Sequence, residues 1–248
     1  MDVNIIIFGD SIVYGAWDYN KVGWVNRLRL LFEQKYTNYY TIFNLGIPGD
    51  TTSNIKKRFK QECSARYNPG ANNIIIFSMG INDSQIIDKK NNIDIENFKN
   101  NIYSLIKMAK EYTNNILFVG LTSVNEAIVN PLPWDKNISY LNEEIRFFDY
   151  ELKNICEQSE INYINISNLL SDEDLEDGIH PNNIGHEKIC KQVYKYLEEN
   201  IFKSWSFFWK IIGKIFRIIW MLKYMNSLKT IFSFSVNILL LMFQYLKD

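Results

Sequence analysis

Residues 3–15 read VNIIIFGDSIVYG, and the reading of this stretch decides the fold. Val3 and the run IIIF at 5–8 are too short to span a membrane and too rich in β-branched residues for a good helix, which predicts a buried parallel strand. That strand stops at Gly9. Asp10 and Ser11 then fall where the chain turns towards a helical stretch, which puts Ser11 at the carboxyl edge of a sheet, the ligand edge of open α/β folds. Gly, Asp and Ser are common turn residues, so taken alone they describe only a capped βα turn.

The rest of the chain alternates in the same way. Residues 22–35 carry Val25, Leu28, Leu31 and Phe32 at helical spacing, and 40–45 read as a second strand that runs into GIPGDTT at 46–52. Pro48 and Gly49 break that strand, and Asp50 or Thr51 can cap the helix that carries residues 56–59. A third strand at 73–78 stops at GIND, 80–83; a helix at 95–112, a strand at 116–121, a helix at 138–158 and a fifth strand at 161–166 follow. An acidic loop, 172–182, precedes a last helix at 184–197. Strand and helix in alternation predict right-handed crossovers and a parallel sheet covered on both faces, a three-layer α/β/α domain over residues 1–200. In such a sheet Ser11, Gly49 and Asn82, each following a separate strand, meet DGIHP, 177–181, at one rim.

Four blocks, FGDSIVYG at 8–15, NLGIPGDTT at 44–52, GIND at 80–83 and DGIHP at 177–181, resemble those of the SGNH hydrolases, also called GDSL esterases and lipases. Their order and approximate spacing agree over residues 1–198. The resemblance implies a flavodoxin-like five-stranded sheet and a serine ester hydrolase. It carries the nucleophile to Ser11 and the Asp-x-x-His pair to Asp177 and His180, with oxyanion donors at the Ser11 amide, the Gly49 amide and the Asn82 side chain. No cofactor or metal is implied.

The chemistry of these residue types agrees. A serine hydroxyl needs a base within hydrogen-bond reach. Of the two histidines, His186 lies inside the last helix and reads as a packing residue, whereas His180 is held in a loop before Pro181. Asp177, three residues earlier, can turn back to the other ring nitrogen and fix the tautomer; Glu176 has the wrong spacing for that geometry. Gly49 suits a backbone donor because it has no side chain, and Asn82 offers an uncharged amide. Tyr14 and Trp17 are left between pocket and core. The loop 121–137, with Pro131, Pro133 and Trp134, either lines an acyl pocket or anchors to the surface.

Composition excludes several classes. The 248 residues contain no Gly-x-Ser-x-Gly elbow, no Gly-x-Gly-x-x-Gly and no phosphate loop, which argues against an αβ-hydrolase elbow, a dinucleotide enzyme or a nucleotide triphosphatase. The three cysteines, Cys63, Cys156 and Cys190, form no Cys-x-x-Cys pair and read as buried thiols in a reducing compartment. No cleavable secretion signal is visible, so a cytoplasmic location is expected. The formal net charge of −1 hides an asymmetry: residues 201–248 carry seven Lys or Arg against one acid, and 1–200 carry 20 bases against 27 acids.

In that tail 30 of 48 residues are apolar. On a helix Lys203, Lys210, Lys214 and Arg217 form a basic stripe opposite Phe207, Phe208, Ile211, Ile212, Ile215, Ile218 and Ile219, the pattern of a helix lying in a membrane interface. Residues 230–246 are uncharged but at the short limit for a span. In-plane attachment or a shallow hairpin at the inner face of a membrane is the favoured reading, with a single span, or helices that pack on the domain or on a second copy as an oligomer interface, as alternatives. The expected activity is hydrolysis of a small-molecule acyl ester, such as a lysophospholipid or other fatty acyl ester. A carbohydrate O-acetylesterase, an acyl thioesterase and a non-catalytic membrane-attached binding protein are the alternatives; nucleic acid is not an expected partner.

Overall fold

The computed structural model describes residues 2–20, 23–35 and 39–202. Residues Met1–Tyr196 make one compact unit, with the chain from Leu197 onward a separate one. The elements run β1 (Val3–Gly9), α1 (Ser11–Tyr14), α2 (Gly23–Lys35), β2 (Tyr40–Gly46), α3 (Thr52–Ser64), β3 (Asn72–Ser78), α4 (Ile81–Ser84), β4 (Ile86–Ile87), β5 (Lys90–Asn91), α5 (Ile95–Ala109), β6 (Ile116–Val119), α6 (Glu126–Val129), β7 (Ile138–Ser139), α7 (Asn142–Gln158), β8 (Asn162–Ile164) and α8 (Asn183–Tyr196). A 3₁₀ turn, Asp172–Asp174, lies in the acidic loop. Leu197–Phe202, the described part of the second unit, is a π-helical stretch.

The main sheet has the order β2-β1-β3-β6-β8, every pair parallel. This is the doubly wound flavodoxin-like arrangement, whose strand order reverses beside β1. Helices α2 and α8 pack together, as do α3 with α5 and α5 with α7, which gives the three layers expected. All seven residues of β1 are buried, as a strand covered on both faces requires. Phe77 stacks on Phe8 at 5.7 Å and on Phe118 at 4.8 Å between centroids, and Phe59 of α3 closes on Phe8 at 5.0 Å. Burying each such ring contributes roughly 1.5–3 kcal/mol.

The helix expected at 95–112 ends at Ala109 and the strand expected at 116–121 ends at Val119, and two further expectations need correction. Residues 138–158 are not one helix: Ile138–Ser139 pairs antiparallel with Ile86–Ile87, and α7 starts only at Asn142. Ile86–Ile87, paired on one side with Lys90–Asn91, present their other edge to Ile138–Ser139, and the small sheet β5-β4-β7 results. The fifth strand is also shorter than 161–166, since β8 is an edge that pairs only with β6. The features expected of the tail, including the basic stripe at 203–217 and the apolar segment 230–246, lie outside the described residues. Among the described residues no helix is long and apolar enough to cross a membrane.

Polar ties lock the loops at the carboxyl edge. Arg27 and Asp18, both buried, share two hydrogen bonds of 2.7 and 3.0 Å. His186, wholly buried, contacts the Ala16 carbonyl through Nε2 at 2.9 Å and accepts the Trp24 N–H at Nδ1. These roles require a neutral ring, and burial lowers its affinity for a proton. Asp83, also wholly buried, accepts from the Thr52 amide at 3.0 Å and from the Thr52 hydroxyl. Cys63, Cys156 and Cys190 are free and buried.

Burial pushes the Asp83 carboxyl from 3.8 up to about 7, outweighing the Thr52 hydrogen bonds that oppose the rise. Its contribution to stability is therefore present below 3.8 and lost as pH rises through about 7, because the folded chain keeps a proton that the unfolded chain releases. Urea unfolding at about pH 4 and about pH 7.5 is expected to show the protein losing more stability between the two than an Asp83→Asn variant. Equal losses would show that Asp83 does not titrate in that window.

Candidate active site

The site is assembled from strand ends. Gly9 of β1 pairs with Gly46 of β2 and with Ser78 of β3, so three strands stop on one line and their following loops emerge side by side. A Cβ on Gly9 would sit 2.3 Å from the Ser78 carbonyl oxygen, which is why the approach is made by glycine. Asp10 caps α1 by accepting the Ile12 N–H at 2.9 Å, which leaves Ser11 as the first helical residue with its amide short of an intrahelical acceptor. Burial raises the Asp10 carboxyl to about 6, against the opposing pull of the Ile12 N–H and His180.

Ser11, His180 and Asp177 converge across 169 positions of sequence. Ser11 Oγ lies 2.8 Å from His180 Nε2, and His180 Nδ1 lies 2.7 Å from Asp177 Oδ2. An ionised carboxylate only accepts, so Nδ1 carries the proton and Nε2 is left to accept from the serine hydroxyl. Asp177 Oδ1 also accepts the amides of Ile179 at 3.0 Å and His180 at 2.8 Å. Burial works to raise this carboxyl, but the hydrogen bonds from the His180 ring and amide, with Ile179, hold it at about 2. It therefore remains charged across the working range of a histidine base. Glu176 instead donates its backbone N–H to the His180 carbonyl at 2.8 Å, which shapes the loop.

The second group of predicted residues lies on the neighbouring loops. Gly49 has φ +83, a conformation that favours glycine; a Cβ there would meet nothing within 4 Å, so the requirement is backbone freedom rather than space. Asn82, in α4, donates its side-chain Nδ2–H to the Asp50 carbonyl at 3.0 Å, which places its amide against the peptide between Asp50 and Thr51, one residue beyond Gly49. Arg58 holds the same turn, bonding Asp50 at 2.7 Å and the carbonyls of Leu45 at 2.7 Å and Gly9 at 3.2 Å. The five residues singled out from the sequence thus sit on adjoining loops of one rim. Such an arrangement can deliver a serine oxygen to a carbonyl carbon beside preorganised N–H donors.

The sequence left Trp17 undecided and offered no sign of Tyr140. Trp17 is not core: it is 42% exposed, has the uncommon φ of +64, and donates its indole N–H to Asp177 Oδ2 at 3.0 Å. Tyr14 is likewise exposed. Trp134, 64% exposed, lies in a loop that folds into α6 and β7 rather than staying irregular. Among the described residues no group of three or more His, Cys, Asp or Glu is arranged to hold a metal ion.

Comparison with known proteins agrees with this architecture. The sequence matches the GDSL-like Lipase/Acylhydrolase family over residues 7–188. No curated protein matches it. Among solved structures, the lipase/acylhydrolase from Enterococcus faecalis superposes with a TM-score of 0.63 at 20% identity, over 79% of this chain and 95% of that one. An acetylxylan esterase from Geobacillus stearothermophilus gives 0.61 at 16% identity, over 77% and 92%. LAE5, described as an alpha/beta hydrolase enzyme from the Lake Arreo metagenome, gives 0.60 at 16% identity, over 76% and 92%. At these identities the structural likeness establishes the fold, and the family match establishes the kind of enzyme. This chain belongs to the GDSL-like lipase/acylhydrolase family and is an ester-hydrolysing enzyme.

Proposed function

We propose that the enzyme cleaves carboxylic esters through an acyl-serine intermediate, with Ser11 as nucleophile, His180 as general base and Asp177 as its orienting carboxylate. The observation that carries this reading is the unbroken relay Ser11 Oγ to His180 Nε2 at 2.8 Å and His180 Nδ1 to Asp177 at 2.7 Å. Ser11 Oγ attacks the ester carbonyl while its proton passes to His180 Nε2, and the ring positive charge faces Asp177. The carbonyl oxygen takes the electron pair and is met by the amides of Ser11 and Gly49 and by Asn82 Nδ2. As the tetrahedral intermediate collapses, the ester C–O bond breaks and the leaving alcohol takes the proton from His180. Water then attacks the acyl carbon, gives its proton to His180, and the ring returns it to Ser11 as the carboxylic acid leaves.

For the substrate we favour a fatty acyl ester such as a lysophospholipid, met at a membrane surface through residues 201–248. Two features support this. The rim carries exposed apolar side chains beside the relay: Trp17 on Asp177 and Ile128 against the Gly178 turn. The tail sequence pairs seven basic residues with three tryptophans and many aliphatic ones, suited to an anionic interface. A cytoplasmic enzyme attached to the inner leaflet fits the same features. The competing reading is a carbohydrate O-acetylesterase, favoured by the likeness to the acetylxylan esterase fold.

A fluorophosphonate probe is expected to add to the wild-type protein and to leave Ser11→Ala unlabelled by mass spectrometry, with ester turnover lost in parallel. Labelling of the alanine variant would place the nucleophile elsewhere. In a series of p-nitrophenyl esters, kcat/KM is expected to rise with acyl length; a maximum at acetate that shortens steeply thereafter selects the acetylesterase reading. In sedimentation with anionic vesicles, the full-length protein is expected to pellet. The variant Lys210→Glu, Lys214→Glu, Arg217→Glu is expected to stay in the supernatant, and equal pelleting of both would remove the electrostatic attachment.

A further inference from the structure

An asparagine amide has two ends of nearly equal size and opposite hydrogen-bonding sense, so a half-turn replaces a donor by an acceptor. For Asn82 to meet an oxyanion its NH₂ must face the reacting carbonyl, and a flipped amide would present an oxygen there and repel it. The surroundings of Asn82 decide between the two. Asn82 Nδ2 donates one hydrogen to the Asp50 carbonyl at 3.0 Å, a position an amide oxygen could not occupy without facing another oxygen. At the other end Asn82 Oδ1 accepts the Tyr140 hydroxyl at 3.2 Å. Gln85 Nε2 donates to that same hydroxyl oxygen at 2.8 Å, so the one phenolic proton is directed to Asn82. Asn82 is 8% and Tyr140 5% exposed, so water does not substitute readily for either partner.

We propose that Tyr140 is a positioning residue for the oxyanion donor, and that the chain Gln85 to Tyr140 to Asn82 both orients the Asn82 amide and polarises its N–H towards the reacting oxygen. This rests on the reading of Asn82 as an oxyanion donor. An amide whose oxygen accepts a hydrogen bond has electron density drawn from its nitrogen, and its N–H becomes the better donor. Burial pushes the Tyr140 hydroxyl well above its ordinary range, so it keeps its proton wherever His180 can act as a base.

The small antiparallel sheet supplies Tyr140. Ile138–Ser139 pairs with Ile86–Ile87, the residues that directly follow Gln85, so β7 delivers Tyr140 to the end of α4. The Tyr140 N–H is tied in turn to the Val129 carbonyl at 3.1 Å. The small antiparallel sheet thus couples the loop after β6 to the oxyanion side of the site.

The test is a double-mutant cycle on p-nitrophenyl acetate and butyrate with full-length protein. Asn82→Ala is expected to lower kcat by roughly 100- to 1,000-fold. Tyr140→Phe, which keeps the ring and removes one O–H, is expected to lower kcat by about tenfold, with KM within about twofold of wild type. In the Asn82→Ala background the same Tyr140→Phe change is expected to have no further effect, because no amide remains to orient. A purely structural tyrosine would cause equal loss in both backgrounds. Gln85→Leu, which frees the hydroxyl to rotate, is expected to reduce kcat in the same direction by a smaller factor, and it serves if Tyr140→Phe does not fold. Wild-type kcat in both Tyr140→Phe and Gln85→Leu, or losses that multiply with that of Asn82→Ala, would overturn the proposal while leaving Asn82 in its role. Wild-type turnover by Asn82→Ala would overturn the oxyanion reading itself, and the positioning role with it.

Discussion

The parallel pairing of β1 with both of its neighbours is the constraint on which the site depends. Val3 to Gly9 run in register with Tyr40 to Gly46 on one side and with Asn72 to Ser78 on the other, seven residues each. Because side chains alternate with a period of two and both faces are buried, a slip by one residue would exchange Ile5 and Ile7 with Ile6 and Phe8 between the layers and misfit the packing of each. The packing cost of that slip favours this register, and the register fixes where Gly9, Gly46 and Ser78 fall. The loops after them must then lie beside one another, whatever chemistry they carry.

Adjacency alone would leave the proposed donors and nucleophile too loose for catalysis. The polar ties supply the remaining rigidity: Asp83 joins α4 to the start of α3 through Thr52, Arg58 joins the Asp50 turn to two strand ends, and His186 with the Asp18–Arg27 pair secures the loop that carries Trp17. Each tie is anchored on a helix and reaches outside it, to a loop, a strand end or another helix. Buried carboxylates and guanidinium groups gain little as isolated pairs, and their use here is geometric: removing one partner leaves the other buried and unsatisfied. The site is thus surrounded by interactions that resist small displacements, which suits donors that have to be in place before charge develops.

Legibility in the sequence followed the range of the interaction. The alternation of IIIF, NNIIIF and ILFV with amphipathic stretches is local, and it revealed the parallel sheet and its carboxyl edge. The four motif blocks pointed to Ser11, Gly49, Asn82, Asp177 and His180 through their resemblance to a known family, and the structure shows local geometry within two of them: positive φ at Gly49 and the Asp177 hydrogen bonds from Ile179 and His180. Residues 138–141 were misread as helix because their two-residue pairing with Ile86–Ile87 is set by a partner more than 50 positions away. Trp17 and Tyr140 escaped for the same reason. An aromatic residue in a loop has no signature that tells whether its polar atom meets a carboxylate, an amide or water.

What the amino-acid sequence determined by itself was the order of strands and helices, the edge at which polar residues gather and the identity of the residues able to act there. The elements and the edge follow from periodicity and turn chemistry, which operate over a few residues, while the candidate residues came from the resemblance carried by four motif blocks. Only the tertiary structure decided which atoms meet: the Ser11 hydroxyl with His180 Nε2, the Trp17 indole with Asp177, and the Tyr140 hydroxyl with Asn82. Hydrogen bonds are short and directional, so they are settled by where distant segments come to rest when the sheet closes its core, and by nothing that can be read along the chain.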